Sequence, residues 1–307
     1  MNFICQRKSV YTNLIKKHKV NMNIKRVKGC DICKSQNNKL THQIQQYKIK
    51  KCQHCNHMQV YPLPNKFKLN KLYQNQKAHF YANSFQPLMK KDKISSLSYY
   101  SDRLDLVKKI SKSNKQIKIL DFGCSDGNFV KALIYEGYKH VYGYDVAINS
   151  KKKNLYNGNL EKFKNSFREK FDIIISYHTF EHLRSPSVTL KKLYSCLKKS
   201  GLLYINVPHI LSLQAIILKN KSPIIAPPFH LHYFTKQSLK KMLQLNKFIV
   251  LKIETPFWEK STDIYLEKFI FKNKIIPIIL RYLAFPLQFI IKKLDLGGNL
   301  SVLAKKI

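Results

Sequence analysis

Arginine is scarce in this chain of 307 residues, although the net charge is +39. Six of the 56 basic residues are arginine, and the other 50 are lysines scattered along the sequence. Because the planar guanidinium is the group that binds phosphates and base edges through paired hydrogen bonds, this composition disfavours a dedicated nucleic-acid reader. The field of so many lysines would still attract polyanions such as RNA or an anionic membrane surface.

A long uninterrupted apolar run is also lacking. The most hydrophobic stretch, residues 275–291, contains Pro277, Arg281 and Pro286, and so falls short of the roughly 20 clean residues that a spanning helix needs. We expect a core or lid helix there. The alternative is an interfacial segment whose flanking lysines contact anionic lipid, which would place a cytoplasmic protein at the inner face of the membrane.

Glycine is sparse, with nine residues, and the G-x-G-x-x-G spacing typical of nicotinamide-binding proteins is absent. Residues 117–122 form a short apolar run of the kind found in buried parallel strands. Small residues from Gly123 to Gly127 then predict a tight turn, and Phe129 and Leu133 continue at helical spacing. A strand, a glycine turn and a helix in this order build a nucleotide-type pocket at the carboxyl end of the strand.

A second predicted strand ends in another carboxylate. Residues 141–144 are followed by Asp145, which lies 24 residues after Asp121. This is about the spacing at which an acidic residue takes both hydroxyls of a ribose.

Four motifs in order, LDFGCSDGNF, GYDV, FDIIISYHTFEHL and KKSGLLYINVP, resemble the class I S-adenosylmethionine (SAM) dependent methyltransferases. The resemblance implies an α/β, Rossmann-like, seven-stranded sheet with an antiparallel last strand. It also implies SAM as cofactor. The residues that would bind SAM are Asp121, Gly123, Ser125 and Gly127 at the methionine part, Asp145 at the ribose, and Asn159 and Leu160 at the adenine. Ser125 replaces the middle glycine of many relatives, and Asn159 replaces their usual acidic residue.

Two C-x-x-C pairs, Cys30/Cys33 and Cys52/Cys55, are separated by 18 residues. This spacing is typical of a structural zinc site in which two tight turns each present two thiolates to one tetrahedral ion. Four unrelated thiols or two disulfides are the alternatives, and without an export signal disulfides are disfavoured. His54 and His57 are near enough in sequence to act as substitute ligands.

The segment from Cys30 to Tyr73 resembles the zinc-binding N-terminal part of a subset of bacterial methyltransferases. That subset includes enzymes that C-methylate nucleotide-bound deoxysugars and proteins of surface-polysaccharide loci, so the resemblance implies a small, sugar-type acceptor. Ribosomal-RNA guanine methyltransferases carry a zinc module with a tighter spacing and a histidine ligand, which this segment lacks.

These patterns predict four parts of the chain. A basic tail over residues 1–21, which does not look like a secretory signal, precedes a zinc ribbon over 22–75. A helical connector or lid over 76–116 leads into the SAM-binding domain over 117–307. Because Met22 opens the ribbon, it is an alternative start to Met1.

Methyl transfer to a hydroxyl or a carbon acid requires a base, and histidine titrates near neutral pH. A buried strand over residues 171–176 is followed by His178, Glu181 and His182. His230 follows a proline-rich loop over residues 223–228, which we call the roof loop because we expect it to cover the pocket. We predict that His182 and His230 are the catalytic candidates, supported by His178 and Glu181. A metal bound by these histidines is the less favoured interpretation, because no tight carboxylate–histidine ligand spacing was recognised.

Two other classes of function stay open from the sequence. One is an RNA-binding protein or RNA methyltransferase that uses the ribbon and the lysines, although no N-P-P-Y-type base-methylating motif is present. The other is a SAM-binding scaffold without activity. The sequence does not separate O-, C- and N-methylation.

Overall fold

The structure is a computed structural model, and it describes residues 29–64, 69, 97, 100–146, 148, 154–158, 160–256 and 285–307. The predicted basic tail, the connector before residue 97, Asn159 and the first part of the apolar segment 275–291 lie outside the described residues.

The strands and helices follow one another in the order expected of an α/β protein. The strands are β1 (Asn38–Ile44), β2 (Tyr47–Cys52), β3 (Met58–Tyr61), β4 (Lys118–Phe122), β5 (His140–Tyr144), β6 (Leu155–Tyr156), β7 (Phe171–Tyr177), β8 (Leu197–Pro208), β9 (His232–Tyr233), β10 (Phe248–Glu254) and β11 (Asn299–Lys306). The helices are α1 (Ser101–Ile110), α2 (Asn128–Tyr135), α3 (Leu160–Ser166), α4 (Pro186–Cys196), α5 (Leu213–Leu218), α6 (Lys236–Leu245) and α7 (Phe285–Lys293), with short 3-10 turns at Phe180–His182 and Lys219–Lys221.

Seven strands form one sheet in the order β10-β11-β8-β7-β4-β5-β6. Strand β11 runs antiparallel to both of its neighbours, whereas β8, β7, β4, β5 and β6 pair in parallel. The predicted α/β sheet with an antiparallel last strand is therefore confirmed. Because β4, β5 and β7 run parallel, their carboxyl ends lie at one edge of the sheet, where the predicted site residues follow.

Alternation along the central strands divides the core into two layers, one on each face of the sheet. Leu120 and Ile174 face the layer that contains the buried faces of α4 and α6. Ile119 and Ile175 face the layer formed with α1 and α2. Both faces are covered, which is why β4 and β7 are almost wholly apolar in sequence.

Two local predictions near helix ends are wrong. The leucine spacing predicts a helix that includes Leu197 and stops at Gly201, but α4 ends at Cys196 and Leu197 opens β8 opposite Phe171. Pairing with β7 outweighs the helical spacing there. Ser101 does not cap α1, because the helix begins at that residue and the hydroxyl has no hydrogen-bond partner. Thr235 does cap α6, in a capping box with Ser238.

A second, four-stranded antiparallel sheet in the order β1-β2-β3-β9 contains the cysteine pairs at its ends. The alternation over residues 44–51 predicts a single strand, but these residues span a hairpin, since Gln45 and Gln46 form the turn between β1 and β2. Strand β9 comes from the segment after the proline-rich loop and pairs with β3 at Met58 and Tyr233. The sequence did not predict this pairing, which joins the ribbon to the main domain.

Among the described residues, no helix is long and apolar enough to cross a membrane.

Candidate active site

The glycine turn after β4 is held in a conformation that side chains would obstruct. Gly123 has φ +85°, and a Cβ there would overlap the side chain of Thr179, which follows β7. Gly127 has φ +81°, and a Cβ there would approach Leu155 Cδ1 to 2.7 Å. Ser125 has φ +51°, so it occupies the left-handed region that explains why glycine is usual at this position. The turn thus exposes backbone at the carboxyl edge of the sheet.

Asp145 stands beside this turn, as predicted. Its Oδ2 accepts a hydrogen bond of 3.0 Å from the Ser125 N–H, and β5, which it follows, is the neighbour of β4. A carboxylate beside a turn of exposed backbone fits the ribose and methionine parts of SAM. The exposed backbone of the turn and the Asp145 carboxylate therefore fit SAM.

Asp121 lies at the end of β4 and is 5% exposed. Burial raises its pKa to about 7, with a further increase from Asp145 and an opposing effect from the Arg103 guanidinium on α1. Arg103 also stands over the Tyr177 ring, with 4.1 Å between Cζ and the ring centroid. Sequence reasoning did not identify Arg103, because nothing near it in the sequence marks it as a partner of the glycine turn.

The predicted adenine side is described only in part. Leu160 begins α3 and packs against the core, and the Tyr144 hydroxyl donates a 2.7 Å hydrogen bond to the Gly158 carbonyl. Asn159 lies outside the described residues. The role of both residues toward adenine stays a prediction.

The four predicted catalytic candidates, His178, Glu181, His182 and His230, lie together, and we call them the acid–histidine cluster. Glu181 is 2% exposed. Its Oε1 lies 3.4 Å from His178 Nδ1 and 3.7 Å from His182 Nε2. The rings of His182 and His230 meet edge to face with 4.9 Å between their centroids. Thr179, which touches the Gly123 turn, places this cluster next to the cofactor side.

Backbone carbonyls fix the orientation of two histidines in the cluster. His182 Nδ1 lies 2.8 Å from the Phe229 carbonyl oxygen, and His230 Nδ1 lies 2.7 Å from the Ile224 carbonyl oxygen. Since a carbonyl only accepts, each Nδ1 carries the proton of this hydrogen bond.

Glu181 and His230 differ in charge at neutral pH, because their surroundings shift their pKa values. Burial alone would raise the pKa of Glu181, but His182, His178 and His230 hold it at about 2, so that the group is a carboxylate at neutral pH. Burial lowers the pKa of His230 to about 4, helped by His182 and opposed by Glu181. A carboxylate and a neutral imidazole in one pocket can accept a proton or bind a cation.

Two other histidines near the roof loop serve packing. His209 is buried and its Nδ1 donates to the Gly297 carbonyl at 3.2 Å. His232 is buried against His57, with 2.9 Å between His232 Nδ1 and His57 Nε2. His57 Nε2 is therefore taken up by the contact with β9, and the ligand atoms that converge in this part of the described residues are the four cysteine sulfurs.

The four predicted zinc ligands converge. The Sγ atoms of Cys30 and Cys55 are 3.5 Å apart, as are those of Cys33 and Cys52, and the four ligand atoms lie within 4.8 Å of one another. No two of them form a disulfide. Zinc–sulfur bonds of about 2.3 Å in a tetrahedron put the sulfurs about 3.8 Å apart, so the cluster fits one zinc ion.

Asp31, inside the first cysteine turn, ties the ribbon to the main domain. Its carboxylate accepts hydrogen bonds from the Ser185 hydroxyl at 2.7 Å and the Ser187 N–H at 3.3 Å, at the start of α4. No sequence pattern indicates this contact, because the two partners are far apart along the chain.

A family model described as a methyltransferase domain matches residues 96–253 of the chain. Among curated proteins, the tRNA U34 carboxymethyltransferase of Helicobacter acinonychis is 29% identical over 125 residues, which are 36% of this chain and 47% of that protein. The chain thus aligns with about half the length of the curated relatives that it matches.

Solved structures with the same fold include the magnesium protoporphyrin IX methyltransferase of Synechocystis PCC 6803 with bound SAH. It has a TM-score of 0.50 and 12% identity over 79% of this chain and 100% of that one. The 4+2 cyclase SpnF has a TM-score of 0.51 and 16% identity over 80% of this chain and 98% of that one. At these identities the likeness concerns the fold alone. Because the family model spans more than half of the sequence and its region includes the glycine turn, Asp145 and the whole acid–histidine cluster, the chain belongs to the methyltransferase-domain family.

Proposed function

We propose that the protein transfers a methyl group from SAM to a small, sugar-type acceptor. The observation that carries this proposal is the position of the acid–histidine cluster directly beside the glycine turn, joined to it through Thr179 and Gly123. A cofactor side and a proton-accepting side thus meet at one edge of the sheet.

SAM, when bound, supplies a methyl group that is already activated by the neighbouring sulfonium. The chain's own residues then have to orient the acceptor and take its proton. Asp145 and the glycine turn hold the nucleoside part, and Thr179 fixes the loop that follows β7. Within the cluster, His178 has a side chain that is 40% exposed, which lets a proton leave to water.

The ribbon supports a small acceptor because it closes the cluster from one side. Two backbone hydrogen bonds connect β3 to the cluster through Leu231. The Val60 N–H donates to the Leu231 carbonyl at 2.9 Å, and the Leu231 N–H donates to the Glu181 carbonyl at 2.8 Å. The acceptor side is therefore bounded by folded chain. The resemblance of the ribbon to that of sugar-modifying methyltransferases points the same way, toward surface-polysaccharide or related metabolism in the cytoplasm.

RNA is the second candidate acceptor. It is favoured by the partial match to a tRNA U34 carboxymethyltransferase and by the net charge of +39. The scarcity of arginine counts against it. If RNA is the acceptor, binding should weaken steeply with added salt, because phosphate contacts release counterions.

Calorimetry with S-adenosylhomocysteine tests the cofactor side. Asp145→Ala should abolish saturable binding, since the ribose hydroxyls lose their carboxylate partner, while Asp105→Ala on the exposed face of α1 should bind as the unmodified protein does. Equal binding by Asp145→Ala would contradict the site. Absence of binding to the folded, unmodified protein would contradict the methyltransferase function.

Transfer of labelled methyl from SAM then separates the acceptors. We expect label in a nucleotide-sugar pool and none in total tRNA. Label in tRNA alone would replace the sugar proposal with the RNA one. Saturable binding without transfer to either pool would favour a scaffold.

Peripheral contact with anionic lipid is a secondary proposal, supported by α7. Phe289 is 73% exposed and Ile290 is 52% exposed, next to Lys292 and Lys293. Flotation with phosphatidylglycerol vesicles should recover the protein, and Phe289→Ser should reduce recovery severalfold. Equal recovery with neutral vesicles or by the variant would contradict it.

A further inference from the structure

Glu181 is a buried carboxylate whose neighbouring polar side chains are histidines. It is 2% exposed, and among the described residues neither oxygen accepts a hydrogen bond of good geometry. Burying an ionised group is costly unless it is paired or coordinates a metal. The groups that face it are His178, His182 and His230, so the missing partner has to lie among these four side chains.

Backbone carbonyls orient two histidines of the cluster, because each uses Nδ1 to donate to a carbonyl oxygen. The other ring nitrogen of His182, Nε2, lies 3.7 Å from a Glu181 oxygen, and a cation between them would bind both. A carbonyl bonded to the distal ring nitrogen is also the usual support of a metal-binding histidine.

The spacing suits a single ion. One ligand atom from each of Glu181, His182 and His230 lies within 4.8 Å of the other two. Metal bonds of about 2.0–2.2 Å to nitrogen and oxygen bring such atoms to about 3–3.5 Å, so closure by about 1 Å through side-chain rotation is enough. We propose that Glu181, His182 and His230 bind a divalent cation of the Mn²⁺ to Zn²⁺ series, separate from the zinc of the ribbon.

The donor set agrees with this class of cation. Two imidazoles and one carboxylate are typical of sites for zinc, iron and their neighbours, whereas Mg²⁺ and Ca²⁺ prefer oxygen. Three protein ligands leave positions open for other oxygens. Here Glu181 and His182 are neighbours in sequence, whereas His230 follows the roof loop. The three ligands therefore do not form a short, recognisable spacing in the sequence.

The site gives the acceptor a chemical requirement, and this consequence rests on the proposed function. A cation held by Glu181, His182 and His230 would lower the pKa of an acceptor hydroxyl beside it, and His178 would pass the proton of that hydroxyl to water. The hydroxyl oxygen then forms a bond to the methyl carbon as the carbon–sulfur bond breaks, with the electron pair going to sulfur. The favoured acceptor therefore carries a hydroxyl beside a second oxygen that can share the cation.

Metal content and cobalt spectroscopy test the site directly. Protein with a zinc-loaded ribbon is titrated with Co²⁺, and the unmodified chain should bind a further equivalent whose visible bands lack thiolate charge transfer. Glu181→Gln and His230→Ala should bind this equivalent at least about 100-fold more weakly. His140→Ala, at the opposite end of β5, is the matched control and should bind as the unmodified chain does.

Two results would overturn the proposal. One is the absence of a further equivalent in the unmodified, folded protein. The other is unchanged binding in Glu181→Gln and His230→Ala, which would leave a protonated His182 as the partner of Glu181. If His230→Ala does not fold, His182→Gln replaces it. Calorimetry with S-adenosylhomocysteine on the same samples separates the two proposals, because the ion can bind where the nucleoside does not.

Discussion

At the scale of one residue, Asp121 is a buried carboxyl group whose ionisation lowers the stability of the folded protein. Burial raises its pKa from 3.8 to about 7, aided by Asp145 and opposed by Arg103. The native protein therefore holds the proton more tightly than the unfolded chain does, and the free energy of unfolding falls as pH rises from about 4 to about 7. The variant Asp121→Asn has no such proton to lose. Its stability relative to the unmodified protein should improve by about 2–3 kcal/mol between pH 5 and pH 8.

Urea unfolding at the two pH values measures this difference. Asp105→Asn on the exposed face of α1 supplies the background pH dependence. A stability gap between Asp121→Asn and the unmodified protein that stays constant from pH 5 to pH 8 would contradict the raised pKa. Calorimetry should also show weaker binding of S-adenosylhomocysteine by Asp121→Asn, because this variant lacks the carboxylate that we predict to lie under the methionine part.

At the scale of elements, Asp31 acts as a cap supplied to α4 by another part of the chain. The N-cap residue of this helix, Ser185, makes no capping hydrogen bond of its own, and the Asp31 carboxylate takes the Ser185 hydroxyl and the Ser187 N–H instead. Asp31→Ala should lower the free energy of unfolding by about 1–3 kcal/mol, since buried donors at the helix start lose a charged acceptor.

Urea unfolding with cobalt in place of zinc checks this prediction. The thiolate bands of the ribbon should stay unchanged in Asp31→Ala, because Asp31 is not a ligand. Lys34→Gln, which removes an ammonium group 3.7 Å from the same carboxylate and largely exposed, should cost less than about 0.5 kcal/mol. Equal losses in both variants would show that the surface ion pair, and not the cap, is what matters.

What the sequence predicts well at this scale are elements whose signals are local. The apolar runs of β4 and β7, the cap at Thr235 and the left-handed Gly137 after α2 are all readable from neighbouring residues. The boundary at Leu197 is not, because it depends on pairing with Phe171. The same reason hides β9, whose pairing with β3 exists only once the ribbon and the sheet are folded together.

At the scale of the whole molecule, the ribbon contacts the acid–histidine cluster more directly than it contacts the glycine turn and Asp145. The acid–histidine cluster is reached from β3 through Leu231, whereas the glycine turn and Asp145 are held by β4 and β5 inside the main sheet. If the four cysteines bind zinc, as we propose, loss of this ion should therefore loosen Leu231 and the roof loop more than the cofactor side. Each structural zinc thiolate contributes to folding of its module, so one missing ligand is enough to release it.

Cys33→Ser tests this coupling without a chelator, which would remove both kinds of ion. We expect binding of S-adenosylhomocysteine within about threefold of the unmodified protein, faster amide exchange at Val60 and Leu231, and loss of the second Co²⁺ equivalent together with methyl transfer. Cys5→Ser, which lies outside the two cysteine pairs, is the control. If Cys33→Ser loses nucleoside binding as fully as it loses the second ion, the ribbon supports the whole fold, and the separate control of the acceptor side argued from β3 and Leu231 is wrong.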